Sequence, residues 1–226
     1  DRQHGQGKLT IRERLELLVD AGTFEQMGKL QGGATYDAEG KLSEFTPSAG
    51  VRGLALVNGR RVYVSGQDFT VRGGSGEGDR SGVDVGHGHP GPLELRLPTV
   101  NLLDGAGGSV TGFTAIGRTY IPDGEFFGAL SDILNVAPVA TAVLGPAAGG
   151  LAPMPCLSHF SVIAKGTGQV FPGGPPVVKA ALGHEIQKED LGGYKIHTRI
   201  SGVVDNAAED EADAIAQVKV FLSYLP

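Results

Sequence analysis

The residues best suited to do chemistry in this sequence are glycines rather than reactive side chains. Glycine accounts for 37 of the 226 residues, which is about 16% against a typical value of roughly 7%. Three glycine clusters lie at or near the ends of predicted strands, namely Gly73-Gly74-Ser75, residues 105–108 and residues 145–150. In a turn without side chains, backbone N–H groups can face a ligand, and a pair of them can form an oxyanion hole. The turns therefore predict either such a hole or tight packing of strands against helices.

Two of these turns each follow a continuous apolar run. DGAGGSV (104–110) follows LPTVNLL (97–103), and GPAAGG (145–150) follows PVATAVL (138–144). Such runs are typical of buried parallel strands, whose carboxyl ends meet at one edge of a sheet and form ligand sites there. We therefore expect the two turns to line one cleft. Neither has the GxGxxG pattern of a dinucleotide loop, and the chain has no GK[ST] of a P-loop.

The remaining turn combines glycines with a basic side chain. QDFTVRGGSGEG (67–78) places Arg72 directly before the glycine pair. One interpretation is that Arg72 binds a phosphate while the turn forms an anion-binding nest. The other is that Arg72 is a surface charge beside a loop.

Side chains that usually carry catalysis give weak signals. His87 and His89 lie in a Gly/Pro-rich loop without a third ligand at a set spacing, so we expect no metal site in this domain. The other histidines considered stand alone and are expected to be packed or on the surface: His159, His184 and His197. No GxSxG elbow occurs, and Cys156, the only cysteine, has no identifiable partner. This pattern favours chemistry in which a cofactor supplies the base.

Hydrophobic periodicity predicts the elements that must position the turns. Strands are expected over residues 50–57, 61–65, 97–103, 138–144, 160–164 and 168–171, with a hairpin turn at Asn58-Gly59. Helices are expected over residues 8–20, 123–134, 176–182 and 207–225, the first with Thr10 and Glu13 as a capping box. Residues 31–48 read as an exposed excursion. Strand, glycine turn and helix in alternation predict an α/β domain with a parallel sheet.

Composition excludes several classes of partner. Hydrophobic residues make up 40% of the chain and charged residues 19%, as in an ordinary globular domain. A net charge of −6 disfavours nucleic acid, and no apolar run is long enough for a membrane span. A single cysteine indicates a reducing compartment.

Several long motifs resemble one family, the carboxyltransferase (β) subunits of biotin-dependent acyl-CoA carboxylases of the propionyl- and methylcrotonyl-CoA type. The matching stretches, which cover nearly the whole chain, are GKLTIRERLELLVDAGTFEQ, GRRVYVSGQDFTVRGGS, GPAAGG, FPGGPPVVKAALGHEIQKEDLGG and SGVVDNAAEDEADAIAQVKVFLSYLP. The resemblance implies an α/β fold of the crotonase-like type, a β-β-α superhelix. It implies that carboxybiotin on a carrier protein releases carbon dioxide, which adds to the enolate of an acyl-CoA held by backbone oxyanion holes.

The resemblance also implies roles for individual residues. Gly107 and Gly108 would form an oxyanion-hole element, and Ala148 and Gly149 would line the same cleft. The stretch along CoA would comprise Phe69, Arg72, Gly73, Gly74 and Ser75, and the biotin side would comprise Gly173, Gly174 and Pro175.

Partners are implied by the same resemblance. Residues 1–226 would be the N-terminal carboxyltransferase domain, with a second, C-terminal domain outside this chain and the isolated domain inactive. The expected partners are a biotin carboxylase, a biotin carboxyl carrier subunit, the second domain and further copies in a ring of six. The expected compartment is the cytoplasm, or the mitochondrial matrix in a eukaryote.

One stretch departs from the family pattern. The family has an amphipathic helix after the GGS turn, whereas residues 76–92 here are rich in glycine and proline, which do not sustain a helix. Either a loop reshapes the CoA groove, or the recorded sequence is locally faulty. Two other functions remain open: a biotin-dependent acyl-CoA decarboxylase α subunit, and a non-catalytic CoA-binding or assembly module.

Overall fold

The computed structural model describes residues 2–75, 91–108, 117 and 124–226. The expectation for residues 76–92 therefore lies outside the described residues, except for Gly91 and Pro92.

Within the described ranges, five strands follow the first helix in succession, and α-helices separate several of the later strands. The strands are β1 (Glu25–Met27), β2 (Gly32–Tyr36), β3 (Leu42–Pro47), β4 (Gly50–Val57), β5 (Arg60–Gln67), β6 (Thr99–Gly105), β7 (Val139–Ala148), β8 (Phe160–Ala164), β9 (Gln169–Phe171) and β10 (Asn206–Ala208). The α-helices are α1 (Ile11–Leu18), α2 (Pro92–Leu95), α3 (Gly124–Leu134), α4 (Pro175–Leu182), α5 (Lys188–Gly192) and α6 (Glu211–Ser223). Short 3-10 turns cover His4–Gln6, Arg72–Gly74 and Gly149–Leu151, and a π-helical turn covers Ile196–Ile200.

The central sheet of the described residues has the order β1-β4-β5-β6-β7-β8-β10, and β9 pairs with the far end of β7. The pairs from β5 to β10 are parallel, whereas β4 and β5 form an antiparallel hairpin. At the hairpin turn, Asn58 and Gly59 both have positive φ, as a tight turn of this type requires. The parallel order brings the ends of β5, β6 and β7 to one edge of the sheet.

The core lies between this sheet and the helices α1 and α6. Ile11, Leu15 and Leu18 of α1 are buried against Val64 of β5 and Ile215 of α6 in one apolar cluster. Phe160 at the start of β8 stacks on Phe221 of α6 with ring centroids 5.2 Å apart. The two helices thus cover one face of the strands that lead to the glycine turns.

Most of the expected elements are confirmed with shifted ends. All six predicted strands occur, and so do the helices near residues 123–134 and 176–182. The capping box is confirmed, since Glu13 N–H donates to Thr10 Oγ1 at 3.4 Å and Thr10 N–H donates to Glu13 Oε2 at 2.7 Å. The first helix starts only at Ile11, and the last starts at Glu211 because residues 206–208 form β10 instead.

Two interpretations need correction. The run 138–144 does not end at residue 145, because β7 continues through Gly145, Pro146 and Ala147 to Ala148, where it pairs with β9. Residues 31–48 are mostly exposed as expected, but they form the β2–β3 hairpin.

Candidate functional site: the glycine junction

Three backbone segments meet at one edge of the sheet: residues 72–75, 105–108 and 145–149, together called the glycine junction below. The Ala106 N–H donates to the Gly73 carbonyl at 2.9 Å, which joins the first two segments. Gly105 pairs with Ala147, which joins the second and third. The two turns expected to line one cleft are therefore neighbours in the sheet.

The four residues predicted to be catalytic lie in contact with one another. Gly107 has φ +84°, and a Cβ built there would lie 3.2 Å from the carbonyl carbon and oxygen of Ala148. A Cβ at Gly149, which has φ +60°, would lie 3.5 Å from Gly107 Cα and 3.8 Å from the Gly108 nitrogen. The left-handed backbone favours glycine at both positions, and the 3.2 Å distance adds a steric reason at Gly107.

Two N–H groups of the turn 105–108 make no hydrogen bond within the described residues. Neither Gly107 N–H nor Gly108 N–H donates a hydrogen bond to any part of the chain that the structure describes. Gly108 is exposed and Gly107 is half-buried. Adjacent donors of this kind can hold an anionic oxygen.

Behind the junction lies a group of buried polar side chains, Gln3, Lys8, Arg14, Asp104 and Glu211, called the Asp104 cluster below. The Asp104 carboxylate is fully buried and accepts hydrogen bonds from three of them. Lys8 Nζ donates at 2.9 and 3.0 Å, Arg14 Nη2 at 2.9 Å and Gln3 Nε2 at 3.1 Å.

Glu211 completes the charge balance of the Asp104 cluster. Arg14 Nε and Nη2 donate to its two oxygens at 2.6 and 2.7 Å, and the Leu9 N–H donates at 3.3 Å. Two buried cations thus face two buried carboxylates, which is the condition under which buried charges are tolerated. Burial lowers the pKa of Lys8 despite its contact with Asp104. Burial alone would lower the pKa of Arg14 too, but the hydrogen bonds and charges of Glu211 and Asp104 raise it overall.

The residues expected along CoA lie at the junction in different environments. The Phe69 ring is half-buried, and Lys8 Nζ lies 3.7 Å from its centroid. Arg72 is exposed with φ +50°, and Gly73 and Gly74 also have positive φ. Ser75 is buried. The segment therefore combines an exposed cation with a buried glycine turn.

The residues expected on the biotin side follow β9. Phe171 pairs with Ala148, so Gly173, Gly174 and Pro175 lie just beyond the end of β7. A Cβ at Gly174 would lie 3.2 Å from the Phe171 ring. Pro175 begins α4, a helix with no buried residue.

The other polar residues considered as candidates are occupied or exposed. The Val139 N–H donates to His159 Nδ1 at 3.1 Å, and His197 Nε2 lies 2.8 Å from the Val170 carbonyl oxygen. His184 and Cys156 are exposed, and His87 and His89 lie outside the described residues. Over the described ranges, no group of three or more His, Cys, Asp or Glu residues could hold a metal ion. In the same ranges, no helix has the length and apolar character that crossing a bilayer requires.

Comparison with known proteins decides the family. The model of the carboxyl transferase domain matches residues 2–226. The chain belongs to the carboxyl transferase domain family. Its fold is the α/β crotonase-like fold of that family, in agreement with the similar solved structures. One of these is transcarboxylase 12S, a hexamer solved with methylmalonyl-CoA bound. It superposes with a TM-score of 0.80 at 30% identity over 100% of this chain.

Named members of the carboxyl transferase family match over the full chain. The methylmalonyl-CoA decarboxylase subunit alpha of Veillonella parvula is 34% identical over 226 residues, which cover 100% of this chain and 44% of that protein. The mitochondrial propionyl-CoA carboxylase beta chain of Homo sapiens is 34% identical over 239 residues, which cover 100% of this chain and 42% of that protein. The match to transcarboxylase 12S covers 43% of that chain. The chain thus spans less than half the length of these relatives.

Sequence reasoning finds the glycines and misses the charges of the Asp104 cluster. In the sequence, Glu211 is one of several acidic residues near the start of the last helix, where the helix dipole favours them. A signal exists in α1, where Arg14 shares the i, i+3, i+4, i+7 stripe with Ile11, Leu15 and Leu18. A charge inside an apolar stripe indicates a buried partner, but the partner's position cannot be read from the helix.

Proposed function

We propose that this chain supplies one half of an acyl-CoA carboxyltransferase site. Carboxyl is exchanged there between biotin on a carrier protein and the α carbon of an acyl-CoA. The observation that carries the proposal is the meeting of Gly107 and Gly108 with Ala148 and Gly149 at the ends of two parallel strands. In a member of this family, such donors would stabilise the enolate, which bears its negative charge on the thioester oxygen.

The chain's own residues contribute backbone rather than acid or base groups. The N–H groups of Gly107 and Gly108 hold the developing oxyanion and lower the barrier to losing the α proton. Ala148 and Gly149 line the opposite side and keep the approach free of bulk. When bound, carboxybiotin supplies both the carbon dioxide and the nitrogen base.

The segment 72–75 serves the nucleotide part of the substrate. Arg72 is exposed at the rim of the glycine junction, where a guanidinium can hold a CoA phosphate. Gly73 and Gly74 let the backbone approach closely, and Ser75 is buried beside them. Phe69 stands next to Lys8 and borders the same segment.

The biotin side of the site comprises Gly173, Gly174 and Pro175. Their place beyond Ala148 supports this assignment, because a ligand there would reach the junction from the β9 side. No residue of α4 is buried, so the surface of this helix is accessible to a carrier protein.

The partners we propose are a second carboxyltransferase domain, a biotin carboxylase, a biotin carboxyl carrier and further copies of the chain in a ring of six. The relatives' greater length supports the second domain, and the hexameric transcarboxylase supports the ring. Residues 1–226 are then an N-terminal domain that is inactive alone. We propose the cytoplasm, or the mitochondrial matrix in a eukaryote, as the human relative is mitochondrial.

A decarboxylase is the second candidate, and one observation favours it. The Veillonella parvula decarboxylase subunit is as similar to this chain, at 34% identity, as the human carboxylase chain. Both reactions use the same enolate, and they differ in the direction of carboxyl transfer.

The complete gene product should be assayed in both directions. Carboxylation of propionyl-CoA by a carboxybiotin-loaded carrier supports the carboxylase. Biotin-dependent loss of carbon dioxide from methylmalonyl-CoA, without the forward reaction, supports the decarboxylase. Calorimetric binding of propionyl-CoA with no turnover in either direction would overturn both and leave a CoA-binding or assembly module.

A further inference from the structure

Asp104 contacts all three segments of the glycine junction. It directly precedes Gly105, and its backbone carbonyl lies where a Cβ at Gly74 would have to go. Its carboxylate lies where a Cβ at Gly145 would have to go. Its N–H donates to Gln67 Oε1 at 3.3 Å, just before the segment that contains Gly74. A single buried residue thus touches the parts of the backbone that form the site.

The strand pairing is irregular at the same residue. Leu103 pairs with Val143, and the next pair is Gly105 with Ala147. Between these pairs, β6 contains only Asp104, whereas β7 contains the segment 144–146. Such an irregularity bends a strand and redirects the residues beyond it. It therefore sets how the turn 105–108 faces Ala148 and Gly149.

The Asp104 carboxylate occupies the space at this irregularity and cannot readily leave it. Lys8, Arg14 and Gln3 hold both of its oxygens, and they come from the N-terminal segment and α1 rather than from the sheet. Gly145 leaves room for the carboxylate because it has no side chain. The helix and the N-terminal segment thus fix one carboxylate against two strand ends.

We propose that Asp104 is a positioning residue for carboxyl transfer: its buried carboxylate sets the spacing between the Gly107–Gly108 donors and the Ala148–Gly149 backbone. This inference rests on the proposed function, because the spacing matters only if an oxyanion is held there. A misplacement of about 1 Å in such a site can cost on the order of 100-fold in rate. Asp104 itself touches no substrate and acts through the backbone.

Asp104→Asn keeps the shape of the side chain and removes its charge. The matched control is Glu211→Gln, which removes a charge from the same cluster but from a residue whose contacts are Arg14 and Leu9. In the complete gene product, we expect Asp104→Asn to lower kcat for propionyl-CoA carboxylation about tenfold or more with little change in KM. Glu211→Gln should retain most of the wild-type kcat, even if urea denaturation shows that it loses as much stability as Asp104→Asn.

A second measurement needs no turnover. Amide hydrogen exchange in this chain should rise for residues 105–108 and 145–149 in Asp104→Asn, whereas in Glu211→Gln it should rise chiefly in α6. Gly145→Ala serves as a second variant in case Asp104→Asn folds poorly, because its methyl group would displace the Asp104 carboxylate. It should show the exchange pattern and the kcat loss that we expect for Asp104→Asn. Equal exchange patterns and equal kcat losses in the Asp104 and Glu211 variants would overturn the positioning role. A wild-type protein without carboxyl transfer in either direction would instead contradict the proposed function.

Discussion

Lys8, Arg14, Asp104 and Glu211 are all nearly or fully inaccessible to solvent, which is rare for charged side chains. Their contacts are short and their charges balance. Removing Arg14 leaves Glu211 buried without a cation and takes one of its two cations from Asp104, and that is more costly than losing a surface ion pair. The Asp104 cluster therefore makes stability depend on a few residues far apart in the sequence.

Arg14→Met should lower the free energy of unfolding by about 3–5 kcal/mol, because Asp104 and Glu211 would both lose a buried cation. Urea denaturation followed by circular dichroism measures this value. Arg12→Met, on the exposed side of the same helix, is the matched control and should change stability by less than about 0.5 kcal/mol. Similar effects of the two substitutions would contradict the assigned role of the cluster.

Gly108→Val should abolish carboxylation while the chain stays folded. The residue is exposed, so the added side chain has room in the fold but covers the donors that face the substrate. Losing an oxyanion-hole donor typically costs about 100- to 1,000-fold in kcat. Gly5→Val provides the control, because a Cβ at Gly5 meets nothing within 4 Å. Unchanged turnover in the Gly108 variant would remove this residue from the site.

Among the elements, α1 shows how local sequence and tertiary packing act together. Thr10 and Glu13 cap its first turn reciprocally, and His4 lies 3.0 Å from the Glu13 carboxylate. The hydrogen bond with His4, followed by those with Thr10, lowers the pKa of Glu13 to about 2 from 4.5. On the opposite side of α1, Arg14 contacts the carboxylates of the Asp104 cluster. The start of α1 is therefore fixed at both surfaces.

The lowered pKa of Glu13 determines how its contribution to stability changes with pH. Ionised Glu13 stabilises the folded chain fully above pH 4.5, and this contribution is lost as the pH falls from 4.5 towards about 2. Glu13→Gln should therefore reduce the loss of stability between these values. The measurement is urea denaturation at pH 5 and pH 3, with Glu16→Gln of the same helix as control. An equal pH dependence in wild type and Glu13→Gln would contradict the prediction.

The elements also show what the sequence can predict. Alternating or continuous apolar runs predict β4, β5, β6 and β8, because each strand's burial depends on its own residues. The same pattern predicts the end of β7 too early, because the last residues of this strand are small and become part of it by pairing with β9. Likewise β10 is three residues long and exists through pairing with β8. Pairing partners distant in the chain leave no local pattern.

At the scale of the whole molecule, the site is formed by contacts between distant segments. Lys8 meets Asp104 across 96 positions, and Arg14 meets Glu211 across 197. Composition singles out the glycines of the junction because they are frequent and clustered. Among the charges behind them, Arg14 leaves a local signal in the apolar stripe of α1, but the positions of its partners, which are distant in the chain, cannot be read from that helix.

The domain organisation leads to a further expectation. If residues 1–226 supply half of a site, the chain alone should not carboxylate propionyl-CoA, and a separately expressed second carboxyltransferase domain should restore activity when mixed with it. The restored rate should rise with the concentration of the second domain until it saturates. Full activity of the isolated chain would show that the site is complete within these residues.

The decisive measurement for carboxyl transfer tracks a labelled carboxyl carbon between carrier-bound carboxybiotin and propionyl-CoA in the complete gene product. The exchange detects the shared enolate chemistry in either direction of net reaction. We predict label in methylmalonyl-CoA with the wild-type protein and almost none with Gly108→Val. No transfer of label by the folded wild-type protein, with carrier and acyl-CoA both present, would contradict a carboxyltransferase site at the glycine junction.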